Sequence, residues 1–327
     1  MKESNRSFGN LRRSTLAGFI ALATLGLAAA ALGYGKDGHE TVGAIAADLL
    51  QGTHAETKVN NLLQGMSLLD AATWADRAKG SQGPLTQEMK DFVAANHDHH
   101  NYHYTDVPIQ ELQYQLGRVG TSPVDIVQIS TQCINVLKGN DTPATNPHGF
   151  NQRIALLLLT HFVGDIHQPL HVGAAYLNDK PRFVNPNVVT TGVHEDQGGN
   201  FLKLGGTLLH VYWDDNAVQR AMKKAGAKST QDYADRILQN NPIVPQTPGS
   251  VETWPKQWAD EILPIAVKAH KGFKIAKPAT VTDLFGTHLQ WKVTAPSGYT
   301  NFARDTVDER LTTAGFRLAQ LLQTIWP

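Results

Sequence analysis

The stretch His161-Phe162-Val163-Gly164-Asp165-Ile166-His167-Gln168-Pro169-Leu170-His171 combines a buried-helix pattern with three groups that can bind a cation. It continues an apolar segment that starts at Asn151 and predicts a core helix ending near Pro169. On a helix, His161 and Asp165 are one turn apart on the same face, so their side chains can converge on one point. Beyond the proline, His171 can supply a third group to that point.

A second His-x-x-x-Asp pair, His210 and Asp214, follows the Gly205-Gly206 break. Two such pairs are not typical of a solvated helix face, and together with His171 they favour a metal site. The alternative is a buried hydrogen-bond network of His and Asp that holds helices together. Further candidate ligands upstream are His39, Asp76 and His103. Their neighbours His97, His99 and His100 are interpreted as a surface histidine cluster.

Composition narrows the class of protein. The chain has 327 residues with 29 Lys and Arg against 29 Asp and Glu, 14 His and one Cys. Zero formal charge argues against a protein that binds nucleic acid mainly through a basic surface. A single cysteine excludes an intramolecular disulfide framework and a Cys-rich zinc module, so imidazole and carboxylate chemistry is the first expectation.

Helical periodicity dominates the chain from residue 34 onward. Residues 39–50 have apolar side chains at helical spacing, and a C-terminal stripe consists of Val307, Leu311, Ala314, Leu318 and Leu321. Segments 139–149, 178–200 and 240–250 are rich in Pro, Asn and Gly, and we interpret them as connections between helices. The sequence therefore predicts an all-α fold with a single, mostly helical domain over residues 34–327.

Residues 1–33 have the pattern of a signal peptide. A basic start that includes Arg12 and Arg13 precedes an apolar run from Leu16 to Leu32, and small residues end it at Gly33. The alternative is a membrane anchor, but the run is rich in Ala and Gly and short for a spanning helix. We expect export to a periplasm or secretion, no membrane attachment after cleavage, and Tyr34 as the new N-terminus.

Several segments together resemble the zinc-dependent single-strand-specific nucleases typified by mung bean nuclease, with zinc phospholipase C as a more distant relative. The resemblance runs in order from Tyr34 to Asp214, and the stretch 161–171 is its most specific part. The other segments are Tyr34-Gly35-x-x-Gly38-His39, Trp74-Ala75-Asp76, His103-Tyr104-x-Asp106, Gly198-Gly199-Asn200 and Leu209-His210-x-x-Trp213-Asp214.

The resemblance implies a helical domain built around a trinuclear zinc cluster. One ion would be held by Asp76, His103, His161 and Asp165. Asp165 would bridge to a second ion, held by His39 and by the amino group and carbonyl of Tyr34. The third ion would take His171, His210 and Asp214.

The same resemblance implies an endonuclease that cleaves single-stranded RNA and DNA to 5′-phosphorylated products, with 3′-nucleotidase activity and a metal-activated water as nucleophile. Asp106 would orient the water or a ligand, and Asn200 would position the phosphate. The expected partner is a single-stranded nucleic acid or a 3′-nucleotide, with no stable protein partner.

Four features depart from the family pattern. Tyr34 replaces the usual Trp, and Lys79 replaces an Arg, with Arg77 nearby. The segment 173–195 is longer than its usual counterpart, and the disulfides of the eukaryotic relatives cannot form with a single cysteine. Lysine cannot reproduce the bidentate fork of arginine on a phosphate. Two other functions remain as alternatives: a zinc phospholipase C or other phosphoesterase, which Asp214 in place of Glu disfavours, and a non-catalytic exported zinc-binding protein.

Overall fold

The computed structural model describes residues 34–80, 83–283 and 285–327. The predicted signal peptide, residues 1–33, lies outside the described residues. Within these ranges, no helix is both long enough and apolar enough to cross a bilayer.

The chain is mostly helical. The α-helices are α1 (Lys36–Leu50), α2 (His54–Leu63), α3 (Leu68–Ala71), α4 (Trp74–Ala78), α5 (Gln87–Ala95), α6 (Ile126–Lys138), α7 (Gln152–Asp165), α8 (Leu209–Val211), α9 (Val218–Ala225), α10 (Thr230–Gln239), α11 (Trp254–His270) and α12 (Tyr299–Ile325). Short 3₁₀ turns cover His99–His103, Pro169–His171 and Val251–Thr253, and a π-helix, Tyr212–Ala217, joins α8 to α9.

Helix α7 lies at the centre of the molecule. Asn151 caps its N-terminus by accepting a hydrogen bond from the Ile154 amide, and every residue from Ile154 to Asp165 is buried. Helices α1, α6 and α12 pack against it. The predicted C-terminal stripe lies on α12 and is fully buried. Helices α1 and α12 approach closely, because a methyl group added at Gly315 would lie 2.6 Å from Ile45 Cβ.

The fold is mostly helical, as predicted, but it is not purely all-α, since small sheets accompany the helices. The strands are β1 (Val107–Pro108), β2 (Gly173–Ala174), β3 (Tyr176–Asn178), β4 (Val193–Glu195), β5 (Leu202–Leu204), β6 (Thr207–Leu208), β7 (Lys274–Ile275), β8 (Ala279–Asp283) and β9 (Gly286–Thr294). Strand β1 pairs with β2 in parallel, and β3 pairs with β4 antiparallel. The largest sheet has the order β6-β5-β9-β7, and β8 pairs with the first half of β9.

Two regions interpreted as helical or connecting contain these strands. Strand β4 falls within the predicted connection 178–200, and the β8–β9 hairpin interrupts the C-terminal third. The hairpin has a period-2 pattern in its sequence, because Leu289, Trp291 and Val293 alternate with polar residues. Strand β4 has only three residues and β8 pairs with β9 alone, so the apolar period of these two strands is much weaker than that of the helices.

Candidate metal centre

Helices α1 and α7 bring the first group of candidate ligands together. His39 lies in the first turn of α1, and its ring stacks on that of His161 with centroids 3.7 Å apart. The two oxygens of Asp165 face different partners. Oδ1 lies 3.1 Å from His39 Nε2, whereas Oδ2 lies 3.1 Å from His161 Nε2. Asp165 is therefore placed to serve two ligand groups.

A second group shares His161. Asp76 lies on the short helix α4, and His103 ends the 3₁₀ turn that begins at His99. The Nδ1 atom of His103 lies 3.0 Å from Asp165 Oδ2 and 3.8 Å from Asp76 Oδ1. Asp76 Oδ1 also lies 3.6 Å from His161 Nε2, and it pairs with Lys79 Nζ at 2.7 Å. These atoms are close enough to surround one ion.

The third group lies where the chain turns after α7 and where α8 passes into the π-helix. His210 Nε2 is 3.2 Å from Asp214 Oδ2, and His171 Nε2 is 3.9 Å from Asp214 Oδ1. The Gln168 side chain donates a 2.7 Å hydrogen bond to Asp214 Oδ1. A π-helical turn at this position is typical of functional sites.

Backbone carbonyls orient three of the imidazoles. The Nδ1 atoms of His161, His171 and His210 donate to the carbonyls of Ala72, His103 and Gly198 at 2.6, 2.8 and 2.7 Å. Each ring therefore directs its Nε2 toward a carboxylate. Second-shell hydrogen bonds of this kind set the tautomer of metal-binding histidines.

Buried polar atoms test whether the site fits metal ions. Several ring nitrogens and carboxylate oxygens of the candidate ligands lack a hydrogen bond of acceptable geometry within the described part of the chain. Five of them are His39 Nε2, Asp165 Oδ1, His171 Nε2, His210 Nε2 and Asp214 Oδ2. Orphaned polar atoms are costly in a protein interior. Coordination to cations that prefer nitrogen and oxygen ligands would satisfy all five, so the residues fit zinc.

The pKa values of the three buried carboxyls of the site shift in different directions. Burial opposes ionisation of Asp165, but His161, His171 and His39 outweigh it and lower the pKa of that carboxyl well below its usual range. Burial likewise opposes ionisation of Asp76, yet Lys79 and the neighbouring histidines lower its pKa. Burial dominates at Asp214 and raises its pKa well above the ordinary value. At this carboxyl, burial thus outweighs the hydrogen bond from Gln168, which lowers the pKa.

Glycines let the start of the described chain approach the site. A side chain at Gly35 would meet Asp215 Oδ1 at 2.0 Å, and one at Gly38 would meet Tyr34 Cβ at 2.7 Å. The Gly35 amide donates to the Asp214 carbonyl at 3.0 Å. Tyr34 is completely buried, and its hydroxyl donates to the His167 carbonyl at 3.1 Å. The main chain beside Tyr34 is consequently tied to the third group.

A cavity of about 280 Å³ opens over the candidate ligands. Predicted site residues Asp106 and Asn200 both line it, as does Lys79. Asn200 follows two glycines of positive φ, and a side chain at Gly198 would lie 2.4 Å from the Leu170 carbonyl oxygen. Its Nδ2 donates to the Gln197 carbonyl at 2.9 Å, whereas its Oδ1 is buried without a partner among the described residues.

Sequence reasoning missed Glu195. This residue lies on β4, and its side chain is a neighbour of the Asp106 carboxyl. Burial, followed by the neighbouring Glu195, raises the pKa of Asp106 well above its ordinary value, and burial also raises the pKa of Glu195. Ionisation is therefore disfavoured at both carboxyls. Glu195 is the last residue of the segment 173–195, and the unusual length of that segment was the sequence feature that could have pointed to it.

Three nearby histidines were predicted to form a surface cluster, and the prediction was wrong for His99. Its side chain is 5% exposed and packs against Phe92, whereas His97 and His100 are exposed. The aromatic residue Phe285 also lines the cavity without having been predicted.

Comparison with known proteins matches the whole described chain to one family. A family model described as S1/P1 Nuclease matches residues 34–327. Endonuclease 1 from Arabidopsis thaliana is 25% identical over 317 residues, which covers 90% of this chain and 87% of the relative. Nuclease S1 from Aspergillus oryzae is 28% identical over 224 residues, which covers 67% of each chain.

Proposed function

The chain belongs to the S1/P1 nuclease family and is a hydrolase of phosphodiester bonds, and from this premise we propose that it is an exported, zinc-dependent endonuclease for single-stranded RNA and DNA. Its products would have 5′-phosphates, and 3′-nucleotides would be substrates as well. The observation that carries the proposal is the presence of three neighbouring buried groups of His and Asp, from which His103, His171 and His210 line one cavity.

We assign three zinc ions to these groups. Asp76, His103, His161 and Asp165 would hold the first ion. Asp165, His39 and the main chain of Tyr34 would hold the second, provided that processing frees the Tyr34 amino group. The third would be held by a separate set, which consists of His171, His210 and Asp214.

When bound, zinc lowers the pKa of coordinated water to about 7 and stabilises negative charge on a phosphate and on a leaving oxygen. The chain's own residues would orient the substrate. Asn200 lines the cavity together with His210 and would donate the second hydrogen of its Nδ2 to a phosphate oxygen, since the first is donated to the Gln197 carbonyl. Lys79 lines the same cavity and adds a positive charge next to Asp76, whereas Arg77 does not line it.

Asp106 would orient the attacking water or a group of the substrate. Burial and the neighbouring Glu195 raise the pKa of Asp106, which favours a protonated carboxyl that would donate a hydrogen bond beside one that accepts. This arrangement suits recognition of a group that has both a donor and an acceptor.

The recessed position of the ligands favours unpaired strands. His161 and Asp165 are fully buried, so a phosphodiester must bend into the cavity to approach them. A single strand can bend in this way and can stack its bases on aromatic side chains. The absence of net charge does not oppose this function, because divalent ions supply positive charge that residue counting omits.

The test compares purified protein on four substrates: single-stranded DNA, single-stranded RNA, a 3′-nucleotide and phosphatidylcholine. Single strands should be degraded to 5′-phosphorylated products, activity should disappear in chelator, and zinc should restore it. Asp165→Asn should bind less zinc and lose activity, whereas the exposed control Ile243→Ala should match the wild type. Lipid hydrolysis without nucleic-acid cleavage would establish the phospholipase alternative instead. Zinc binding without hydrolysis of any substrate would overturn the enzymatic proposal.

Export is tested separately. N-terminal sequencing of the protein recovered outside the cytoplasm should begin at Tyr34. A different first residue would remove the terminal amine from the second zinc site.

A further inference from the structure

The largest sheet presents a row of lysines on its outer face. In β9, Trp291 and Val293 are buried, whereas Lys292 between them is exposed. The pairing of β9 with β5 places Lys203 directly opposite Lys292, and the pairing with β7 brings Lys274 to the same side. Because side chains alternate between the two faces of a sheet, all three lysines lie on the face turned away from the core. We call Lys203, Lys274 and Lys292 the lysine row.

No carboxylate neutralises the lysine row. Across their described residues, strands β5, β6, β7 and β9 contain no Asp or Glu. Lys224 and Lys256 pair with carboxylates at 2.8 and 2.6 Å, whereas no ion pair involves the lysine row in the described part of the chain. Two further exposed lysines, Lys271 and Lys277, flank β7. This face is therefore positive, although the chain as a whole has no net charge.

The stability of the sheet does not explain the lysine row. Lys203 and Lys292 are direct neighbours on adjacent strands, and like charges in that relation are destabilising. A neutral β-branched residue would suit an exposed strand position better than lysine does. The accumulation of charge therefore points to an anionic ligand.

Strand β5 connects the lysine row to the cavity over the candidate metal centre. Asn200 lines that cavity, and Lys203 follows it by three residues, a span of at most about 11 Å. Strands β9 and β7 are the next neighbours of β5 in the sheet, and each adds about 5 Å. A ligand that occupies both the cavity and the lysine row must extend over about 20 Å, which corresponds to about six stacked nucleotides of a strand.

Building on the proposed nuclease function, we propose that the lysine row binds phosphates of a single strand several nucleotides away from the phosphodiester in the cavity. A single strand has one negative charge per nucleotide, and it is flexible enough to pass from the cavity across β5, β9 and β7. Lysine contacts to phosphates contribute affinity but read no sequence. The lysine row thus makes the enzyme favour long strands over short ones, whatever their sequence.

The binding experiment uses the zinc-loaded protein and a fluorescent 12-nucleotide phosphorothioate strand, which keeps the charge of every linkage and is hydrolysed slowly. Anisotropy titrations at several salt concentrations compare the wild type with the triple variant Lys203→Gln/Lys274→Gln/Lys292→Gln. The slope of log Kd against log salt should be smaller by about 2 in the triple variant, because each lost phosphate contact removes about 0.7.

A matched control changes the net charge by the same amount elsewhere. Lys58, Lys90 and Lys223 are exposed and lie on α2, α5 and α9. The control variant Lys58→Gln/Lys90→Gln/Lys223→Gln should keep the wild-type salt dependence. The urea midpoint of the triple variant should not fall, because its substitutions remove like charges from neighbouring strands.

Cleavage of substrates of two lengths tests the same surface. A dinucleotide occupies the cavity alone, whereas an unmodified 12-nucleotide strand also extends to the lysine row. The triple variant should lose about tenfold in kcat/KM on the 12-nucleotide strand at low salt, through a higher KM, and nothing on the dinucleotide.

The outcomes distinguish the two proposals. If the wild type cleaves neither substrate, the nuclease proposal fails. If it cleaves both but the triple variant keeps the wild-type salt slope and kcat/KM, the lysine row does not bind the strand and the nuclease proposal stands. Equal losses in the control variant would reduce the effect to net charge and would overturn the lysine row as well. Binding to phosphatidylglycerol vesicles that requires the lysine row, with strand binding unchanged, would assign the surface to an anionic membrane instead.

Discussion

Gly164 offers a direct test of how closely the candidate ligands are packed. It lies on α7 one residue before Asp165, and a Cβ atom added there would be 2.9 Å from His39 Nδ1. The His39 ring cannot retreat, because its other face stacks on His161 at 3.7 Å. Gly164→Ala must therefore displace a candidate ligand.

The size of the effect follows from this geometry. Ordinary contact needs about 3.5 Å, so the ring must move by about 0.5 Å, more than the roughly 0.2 Å tolerance of a metal–ligand distance. Overpacking costs about 1–3 kcal/mol, and the better helix propensity of alanine returns about 1 kcal/mol. We expect a net destabilisation of about 0–2 kcal/mol, and zinc affinity about 10- to 100-fold weaker at one site.

The assay pairs zinc titration of the chelated protein with urea unfolding of the metal-free protein. Gly315→Ala is the matched control, since its added methyl group overpacks against Ile45 at 2.6 Å, at a residue outside the candidate ligand groups. The control should lose stability but keep all zinc affinities. If Gly164→Ala binds zinc as tightly as Gly315→Ala does, His39 is not a ligand.

Three further predictions concern the metal centre and its surroundings. Chelation should lower the free energy of unfolding by about 4 kcal/mol relative to protein in zinc at 1,000 times its Kd, as measured by urea titration, and an unchanged midpoint would contradict a zinc-bound native state. Gln168→Met removes the donor to Asp214 and should weaken zinc binding about 10- to 100-fold at the third group alone, which competition with a chromophoric chelator would measure. Burial and the nearby His100 and Lys79 lower the pKa of His99 to about 4, so the folded state binds fewer protons than the unfolded state below pH 6.5. Stability should therefore fall as the pH drops from 6.5 toward 4, and His99→Phe in chelated protein should reduce that slope by up to about 1.4 kcal/mol per pH unit, whereas an identical slope would contradict this burial effect.

The sequence predicted most of the helices and singled out the two His-x-x-x-Asp pairs as candidate ligands, because both patterns depend on short spacings. The apolar period of α7 and the i, i+4 relation of His161 and Asp165 are local properties of a helix. The convergence of His39 and His103 with them is not local. The family resemblance, not the spacing, led us to expect that these side chains meet, and the structure brings them together.

The strands and the cavity wall could not be predicted in the same way. Strand β9 is stabilised by pairing with β5, about ninety residues earlier in the chain, and no local pattern encodes that partner. Glu195 likewise becomes a neighbour of Asp106 only because β4 pairs with β3. Phe285 had no apolar period of its own, so its position at the cavity depended on where the hairpin folds.

The candidate ligands come from segments that are distant in the chain, so a bound ion would cross-link those segments. His103 and Asp165 are 62 residues apart, and the protein's single cysteine rules out an internal disulfide. An ion held between them closes that loop as a covalent cross-link would, an entropic effect of about 4 kcal/mol for a disulfide of similar span. A chelator can undo this cross-link. Unlike a disulfide, the cross-link forms without an oxidising compartment. Resistance to proteolysis should therefore follow the supply of zinc.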